Sequence, residues 1–216
     1  MNKNRVQSAA LVATLLVAVS ANAVTDWSAQ DYDLYPGDFD GDGRTDLLYV
    51  AKDAAKSSGI ARSNGTAPSI GLQSWSSSYL GIPWYGNAYV VLVADFNGDG
   101  KSDLFLQRTT PGDSFLLFAD ANGKITAINQ TVASTYQGLE WSAEKHKIIA
   151  GDFNGDGKSD LFLQATTSTG THALFAASAT GQFTTAAAQT WTDATWTAFK
   201  SIWRSEERRV GKECRS

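Results

Sequence analysis

The chain has very little cysteine and histidine, and each scarcity limits what the protein can be. Its one cysteine, Cys214, stands close to the end, so no disulfide can form within the chain. The two histidines, His146 and His172, have no cysteine or second histidine nearby. This spacing argues against a zinc site or a histidine-based catalytic centre. We expect both histidines to be surface or strand residues.

Beyond position 23, long apolar runs and helical periodicity are missing too. No later stretch reaches the roughly 18 apolar residues of a transmembrane helix, so no membrane insertion is predicted. The charge excess is acidic and local: residues 24–203 hold 19 acidic and 11 basic residues, and ten of those acids lie in three short loops. A chain of this charge does not fit a nucleic-acid binder.

Both ends of the chain differ from the rest. Residues 1–23 combine Lys3 and Arg5, an apolar stretch at 9–19 and the small-residue pattern Ala21-Asn22-Ala23. These features predict a signal peptide cleaved before Val24, and hence a secreted or cell-surface protein. Residues 204–216, RSEERRVGKECRS, are similar to a translated sequencing adapter. We interpret this tail as not native and place the folded segment at 24–203.

A repeat with a fixed period organises that segment. Asp38, Asp95 and Asp152 open three acidic loops at intervals of 57, and a tryptophan stands 11 positions before each of them. Two independent markers with one period indicate repeated structural units, near 27–83, 84–140 and 141–203. The pattern begins again at Trp196 and stops at 204. We therefore expect the natural protein to continue with further repeats.

Each unit contains four short apolar or mixed runs. One run precedes the acidic loop, two follow it, and a fourth, ending near Gln73, Gln130 or Gln189, comes after a turn such as Asn122-Gly123. Consecutive apolar residues, as in FLLF at 115–118, predict strands that are buried on both faces. The sequence thus predicts an all-β fold: β-propeller-type blades of four antiparallel strands, about three of them, in an incomplete ring.

The acidic loops have the spacing of a calcium site. In DFNGDGKSD, side-chain oxygens stand at positions 1, 3, 5 and 9 and glycine at position 6, and the carbonyl at position 7 can complete the set. Hard oxygen ligands in such a loop suit Ca²⁺ better than Mg²⁺, with one ion per loop. The predicted side-chain ligands are Asp38, Asp40, Asp42 and Asp46; Asp95, Asn97, Asp99 and Asp103; and Asp152, Asn154, Asp156 and Asp160. The predicted carbonyl ligands belong to Arg44, Lys101 and Lys158.

The flanks of these loops exclude an EF-hand. Its position 12 requires glutamate, but Tyr49, Leu106 and Leu163 stand there. The threefold D-x-[DN]-x-D-G-x-x-D instead resembles the FG-GAP or VCBS repeat family. That resemblance implies calcium loops between adjacent strands of integrin-α-like propeller blades, with the metal-ligand roles at the positions just given. Such propellers usually close with about seven blades, and three are present here.

Other motifs have ordinary structural interpretations. Pro111-Gly112-Asp113-Ser114 is similar to the GDS block of some hydrolases, but it stands without partner motifs and is typical of a turn. Trp27, Trp84 and Trp141 recur with the repeat and are expected to pack between blades. Trp75 and Trp191 share a position that Val132 occupies in the second unit. This variability leaves open an exposed aromatic face that stacks on sugars.

Together these features predict a secreted calcium-binding module for binding, adhesion or scaffolding, without catalysis of its own. Its expected partners are a protein or carbohydrate ligand and other domains of the same full-length chain. The stretch YDLYPGDFDGDGRTDLLYVAKDA is also similar to the N-terminal repeat regions of bacterial Rhs and toxin-complex proteins. The alternative is an exported enzyme, for example a carbohydrate-active one, or an Rhs-like toxin whose active domain is missing.

Overall fold

The computed structural model describes residues 28–63, 65 and 73–192, and for 185–189 and 191 only the backbone. The predicted signal peptide, Trp27, the repeat start at Trp196 and the 204–216 tail lie outside the described residues. Within them the chain consists of strands joined by turns and bends, with no helix. Accordingly, this part of the chain contains no helix that could span a membrane.

Three four-stranded antiparallel sheets follow one another along the chain, with a two-stranded hairpin between each pair. The first sheet comprises β1 (Tyr32–Gly37), β2 (Asp46–Ala51), β3 (Ser58–Ala61) and β4 (Gln73–Trp75). The first hairpin comprises β5 (Ser78–Tyr79) and β6 (Ile82–Pro83). The second sheet comprises β7 (Tyr89–Ala94), β8 (Asp103–Arg108), β9 (Ser114–Leu117) and β10 (Gln130–Val132). The second hairpin comprises β11 (Thr135–Tyr136) and β12 (Leu139–Glu140). The third sheet comprises β13 (His146–Gly151), β14 (Asp160–Ala165), β15 (Thr171–Ala177) and β16 (Phe183–Thr192).

The sheets repeat one register, which confirms the all-β prediction of four antiparallel strands per unit. Gly37 pairs with Asp46, Ala94 with Asp103, and Gly151 with Asp160, so each acidic loop joins the first strand to the second. The first strands lie side by side, since β7 contacts both β1 and β13. This is the arrangement of successive propeller blades, with the first strands innermost. In the described part of the chain the three blades form an open array.

The fourth strand of the first two blades was predicted in the wrong place. The sequence pattern placed a run ending near Gln73 and Gln130, whereas β4 and β10 begin at these residues. Both glutamines bond to the next blade: Gln73 Oε1 accepts from Ile125 N at 2.8 Å, and Gln130 Oε1 accepts from Phe183 N at 2.8 Å. The glutamines therefore mark the start of strand pairing, where the chain is held against its neighbour.

The hydrophobic core lies between blades. One buried cluster combines Leu48 and Ile60 of the first blade with Leu104 and Leu117 of the second. A second cluster joins the second and third blades in the same way, for example Phe105 with Phe175. Because each blade buries its faces against the next, consecutive apolar residues such as Leu104, Phe105 and Leu106 are all buried.

The tryptophans belong to these inter-blade cores. Trp84 and Trp141 are buried, as predicted, and each indole Nε1 donates to a carbonyl five positions earlier, that of Tyr79 or Tyr136. Trp75 is buried as well, between Tyr79 and Trp84, with ring centroids 5.3 and 4.8 Å away. The alternative of an exposed, sugar-stacking ring, which the sequence left open, does not hold for Trp75. The Trp191 side chain lies outside the described residues.

Both histidines lie in strands, in agreement with the expectation of surface or strand residues, and both are buried. His146 is buried, with Nδ1 2.6 Å from the carbonyl oxygen of Glu140 and Nε2 2.9 Å from that of Thr171. His172 is also buried, and its Nδ1 accepts a hydrogen bond from Ala165 N at 3.1 Å. His172 thus bridges two strands of its blade, and His146 links the third blade to the preceding hairpin.

Candidate functional site

Three acidic loops lie at the same end of the three blades. They run from Asp38, Asp95 and Asp152 at position 1 to Asp46, Asp103 and Asp160 at position 9. Each connects the innermost strand of its blade to the second strand. The positions are numbered 1 to 9 below.

The carboxylate at position 1 organises its own loop. Asp38 Oδ1 accepts hydrogen bonds from the backbone N–H groups of Gly41 and Asp42, at 2.8 and 3.2 Å, and Oδ2 accepts from Gly43 N at 2.9 Å. Asp152 accepts all three corresponding N–H groups of its own loop, and Asp95 accepts those of Gly98 and Gly100. The chain therefore curls around the first carboxylate, as a loop must do to direct several oxygens to one point.

Positions 3 and 5 carry short side chains that fix the next turns. Asp40 Oδ1 accepts from Asp42 N at 3.1 Å, and Asp42 Oδ1 accepts from Arg44 N at 2.9 Å. The same bonds recur in the other two loops. The glycines at positions 4 and 6 have positive φ, 75° and 83° in the first loop, which few other residues adopt. The sequence predicted the glycine bend at position 6, and position 4 provides a second one.

Three of the predicted ligands converge in the first loop. Asp38, Asp40 and Asp42 each offer a carboxylate oxygen, and these oxygens lie within 4.8 Å of one another. Asn97 and Asn154 replace the middle aspartate in the other loops, so those loops offer two carboxylates and one amide oxygen at positions 1, 3 and 5. Carboxylate and amide oxygens are the donors that Ca²⁺ takes. The residues present thus fit a calcium ion in all three loops.

The aspartate at position 9 has a structural task that the sequence pattern did not reveal. Asp103 is buried; its Oδ2 accepts from Phe96 N at 3.1 Å and its Oδ1 from Ala119 N at 2.9 Å. Asp46 and Asp160 make the equivalent pairs of bonds. This carboxylate therefore ties position 2 of its loop to the end of the third strand. The signal that could have revealed it is its location at the first residue of a buried strand.

Burial raises the pKa of the position 9 carboxyl group in the first and second loops. The pKa of Asp103 is raised to about 7, mainly by desolvation and also by the charges of Asp99 and Asp95, against the opposing effect of its two N–H donors. Burial raises the pKa of Asp46 as well, and the charges of Asp40 and Asp42 add to the effect. The loop carboxylates are close enough to repel one another, which a bound cation would relieve.

Basic side chains partly balance this charge. At position 7, Lys101 Nζ lies 2.6 Å from Asp99 Oδ2, and Arg44 and Lys158 contact position 5 of their own loops. The first loop has an extra aspartate, Asp40, whose nearly fully buried side chain is ion-paired with Arg62. With Arg62 counted beside the first loop, its four acids and two bases leave the same formal charge of −2 as the three acids and one base of each other loop. The position 7 carbonyls remain predicted ligands.

Each of the first two loops is braced by the blade that follows. Ser102, at position 8 of the second loop, donates its N–H to the Asp38 carbonyl at 2.7 Å, and its Oγ accepts from Asp38 N at 2.9 Å. Ser159 N donates to the Asp95 carbonyl in the same way, also at 2.7 Å. The hairpin glycine Gly123 lies against the Phe39 carbonyl and Asp40, where a Cβ atom would come within 2.8 Å. Gly181 has the same relation to the second loop.

The third loop is the least covered of the three. Phe39 and Phe96, at position 2, are completely buried, but Phe153 is 50 % exposed. Lys158 lies over Gly98 of the second loop, while a Cβ atom on Gly155 would meet nothing within 4 Å. In the described residues, then, the first two loops are held between blades and the third faces outward.

The comparisons agree with this architecture. No curated protein sequence matches the chain. Among solved structures, an Agrocybe aegerita lectin, described as showing specific recognition of non-reducing terminal N-acetylglucosamine, superposes with a TM-score of 0.52 at 19 % identity. The match covers 73 % of this chain and only 38 % of the lectin. At this identity the likeness concerns the fold alone.

A family model for the FG-GAP-like repeat matches twice, over residues 38–106 and 95–163. Each match begins at position 1 of one acidic loop and ends in the second strand of the following blade, so that it takes in two successive loops. Together the two matches extend over more than half of the chain. The chain belongs to the FG-GAP-like repeat family.

Proposed function

We propose that the chain is a segment of an exported binding or scaffold protein whose blades are braced by three calcium ions, one in each acidic loop. The side chains at positions 1, 3, 5 and 9 and the carbonyl at position 7 would hold each ion. The bound ion would supply positive charge at the centre of its loop. The module has no catalysis of its own and presents its blades to a ligand.

The convergence of Asp38, Asp40 and Asp42 within 4.8 Å carries this proposal. Two carboxylates about 5 Å apart repel by roughly 3 kcal/mol at an effective dielectric constant of 20. Such repulsion favours a site that takes a cation. Ca²⁺ accepts irregular sets of six to eight oxygens in flexible loops, whereas Mg²⁺ demands a tighter octahedron and keeps its waters.

Export is supported by the charged start, apolar stretch and Ala-x-Ala pattern of residues 1–23. A non-catalytic role is supported by the two histidines, because both are buried and bonded to backbone groups. The fold that the chain shares with a lectin makes carbohydrate one candidate ligand class, beside protein. Other domains of a longer chain are the remaining candidate partners.

Calcium titration by isothermal calorimetry tests the proposal. We expect calcium to bind to three sites, with magnesium binding far more weakly. Asp99→Asn should weaken the second site and leave the others intact. The matched control is Asp113→Asn, which removes an exposed carboxylate outside the loops and should leave calcium binding unchanged. Absence of calcium binding by the folded chain would contradict the proposal.

A further inference from the structure

A cavity of about 260 Å³ lies between the first and second blades. Its wall includes the beginnings of β1 and β7, whereas the acidic loops follow the ends of these strands. The cavity and the calcium loops are therefore at opposite ends of the blades. Its lining includes Asp33, Val50, Tyr85, Asn87 and Tyr89.

The junction between the second and third blades has the equivalent backbone hydrogen bond. Gly86 N donates to the Ala51 carbonyl at 3.0 Å, and Ala143 N, one repeat later, donates to the Arg108 carbonyl at 2.8 Å. Positions one repeat apart can therefore be compared directly. On this basis, differences between the two junctions come from side chains and not from the course of the chain.

At the second junction, between the second and third blades, polar side chains bonded to the protein occupy positions that line the cavity at the first junction. Val50 corresponds to Gln107, which is buried and whose Nε2 donates to the carbonyls of Trp141 and His146 at 3.2 and 2.6 Å. Tyr89 corresponds to the buried His146. The first junction has an apolar side chain and an aromatic ring at these two positions, and both line the cavity.

The third difference is at Tyr85. Its counterpart, Ser142, is fully buried and donates its hydroxyl to Glu140 Oε1 at 2.6 Å. Tyr85 is 41 % exposed, and its backbone forms a bridge with Ala51 that fixes the residue beside the cavity. A large exposed aromatic residue on a fixed backbone is a contact surface for an apolar ligand face.

Groups that can bond to hydroxyls lie around the same cavity. The Asp33 carboxylate is 48 % exposed and is held 3.0 Å from Lys52 Nζ, and Asn87 is exposed. Aromatic rings with a few carboxylate and amide groups are the lining that recognises a sugar, since C–H faces stack on the rings and hydroxyls bond to the polar groups. The volume lies below the roughly 300–1,000 Å³ of pockets for drug-sized ligands, and so suits one ring.

We propose that this cavity binds one neutral saccharide ring, which stacks on Tyr85 and hydrogen-bonds to Asp33 and Asn87. Asp33 is ion-paired with Lys52, so it offers hydrogen-bond acceptors without an uncompensated charge, as a neutral sugar requires. The inference rests on the proposed function as a binding module and names its ligand class and site. Calcium takes no part in sugar contact, because the loops lie at the other end of the blades.

Two-dimensional ¹⁵N–¹H NMR of the unmodified chain tests the proposal without any substitution. The probes are the methyl glycosides of glucose, galactose and N-acetylglucosamine, with that of glucuronic acid as the acidic counterpart. We expect at least one neutral glycoside to shift the amide signals of Tyr85–Asn87 and the Asn87 side chain. Absence of shifts there with all three neutral probes, or a stronger response to the acidic one, would overturn the proposal.

Two variants then test the contact residues. Tyr85→Ala should weaken glycoside binding about tenfold, which corresponds to about 1.4 kcal/mol. Val50→Gln places the Gln107 side chain of the next junction in the cavity and should also reduce binding. Leu34→Ala is the matched control, because Leu34 has the same 41 % exposure and neighbours Asp33 in sequence without lining the cavity. Equal binding by Tyr85→Ala and Leu34→Ala would contradict the assignment.

Calcium titration of the same samples separates this proposal from the function on which it rests. Calcium binding without any glycoside response would contradict the sugar site alone. Glycoside binding at Tyr85–Asn87 without calcium binding would contradict the calcium role and leave the sugar site intact.

Discussion

Ser102 forms hydrogen bonds with both backbone groups of Asp38: its N–H donates to the Asp38 carbonyl at 2.7 Å and its Oγ accepts from Asp38 N at 2.9 Å. The first residue of one acidic loop is thus fixed by the eighth residue of the next. The following blade therefore holds the backbone of Asp38, a predicted calcium ligand, in place. Metal binding and the docking of blades should be coupled.

Removal of the Ser102 hydroxyl tests this coupling. Ser102→Ala leaves Asp38 N without its partner and should lower the free energy of unfolding by about 1 kcal/mol. It should also weaken calcium binding at the first loop, as measured by calorimetry. Thr45→Ala is the matched control, because Thr45 holds the same loop position but is exposed. Identical effects of the two substitutions would argue against bracing between loops.

The hairpin glycines offer a second matched pair. Gly123 and Gly65 hold equivalent positions with φ of 74° and 86°, so alanine costs both about 1 kcal/mol in backbone strain. Only at Gly123 would the Cβ also meet the Phe39 carbonyl, at 2.8 Å; at Gly65 the nearest atom is 3.8 Å away. Gly123→Ala should therefore destabilise the chain more than Gly65→Ala and weaken the first calcium site. Chemical denaturation compares the two, and equal losses of stability would show that the loop contact is unimportant.

The buried carboxylate at position 9 should be essential to its blade. Asp103→Ala leaves the N–H groups of Phe96 and Ala119 buried without acceptors, at a cost of about 1–3 kcal/mol each. For the two groups together we expect the unfolding free energy to fall by about 2 kcal/mol or more, in the presence or absence of calcium. Asp113→Ala provides the surface control. A loss seen only with calcium present would mean that Asp103 acts solely as a ligand.

The three calcium sites should differ in affinity. The first two loops are covered by Ser102 and Ser159 of the following loops, while Phe153 beside the third is 50 % exposed. Calorimetry should therefore show two tighter sites and one weaker site, and Asp156→Asn should abolish the weaker one. Three sites of equal affinity, or loss of a tight site in Asp156→Asn, would contradict a role for the neighbouring blade.

The sequence predicted the architecture well because the repeat is long and regular. The equal spacing of Asp38, Asp95 and Asp152, together with Asn122-Gly123 at a hairpin, indicated the four-stranded units and the loop positions. Such signals are local in the chain. They require no knowledge of which blade lies beside which.

Features that depend on neighbouring blades could not be predicted in this way. The contact of His146 with Thr171, the start of β4 at Gln73 and the hydrogen bond of Asp103 to Ala119 N all involve residues distant in sequence. The cavity beside Tyr85 depends on side chains that two blades bring together. Comparison of repeats identifies such differences only after the backbone has fixed which positions correspond.

The thermal unfolding temperature with and without calcium tests the central claim most directly. Each ion at ten times its dissociation constant adds about 1.4 kcal/mol, so three ions add about 4 kcal/mol. For a chain of this size that predicts a rise of about 10 °C in calcium over excess EDTA, with little change in magnesium. The same melting temperature in EDTA and in calcium would contradict the account of these loops as calcium braces.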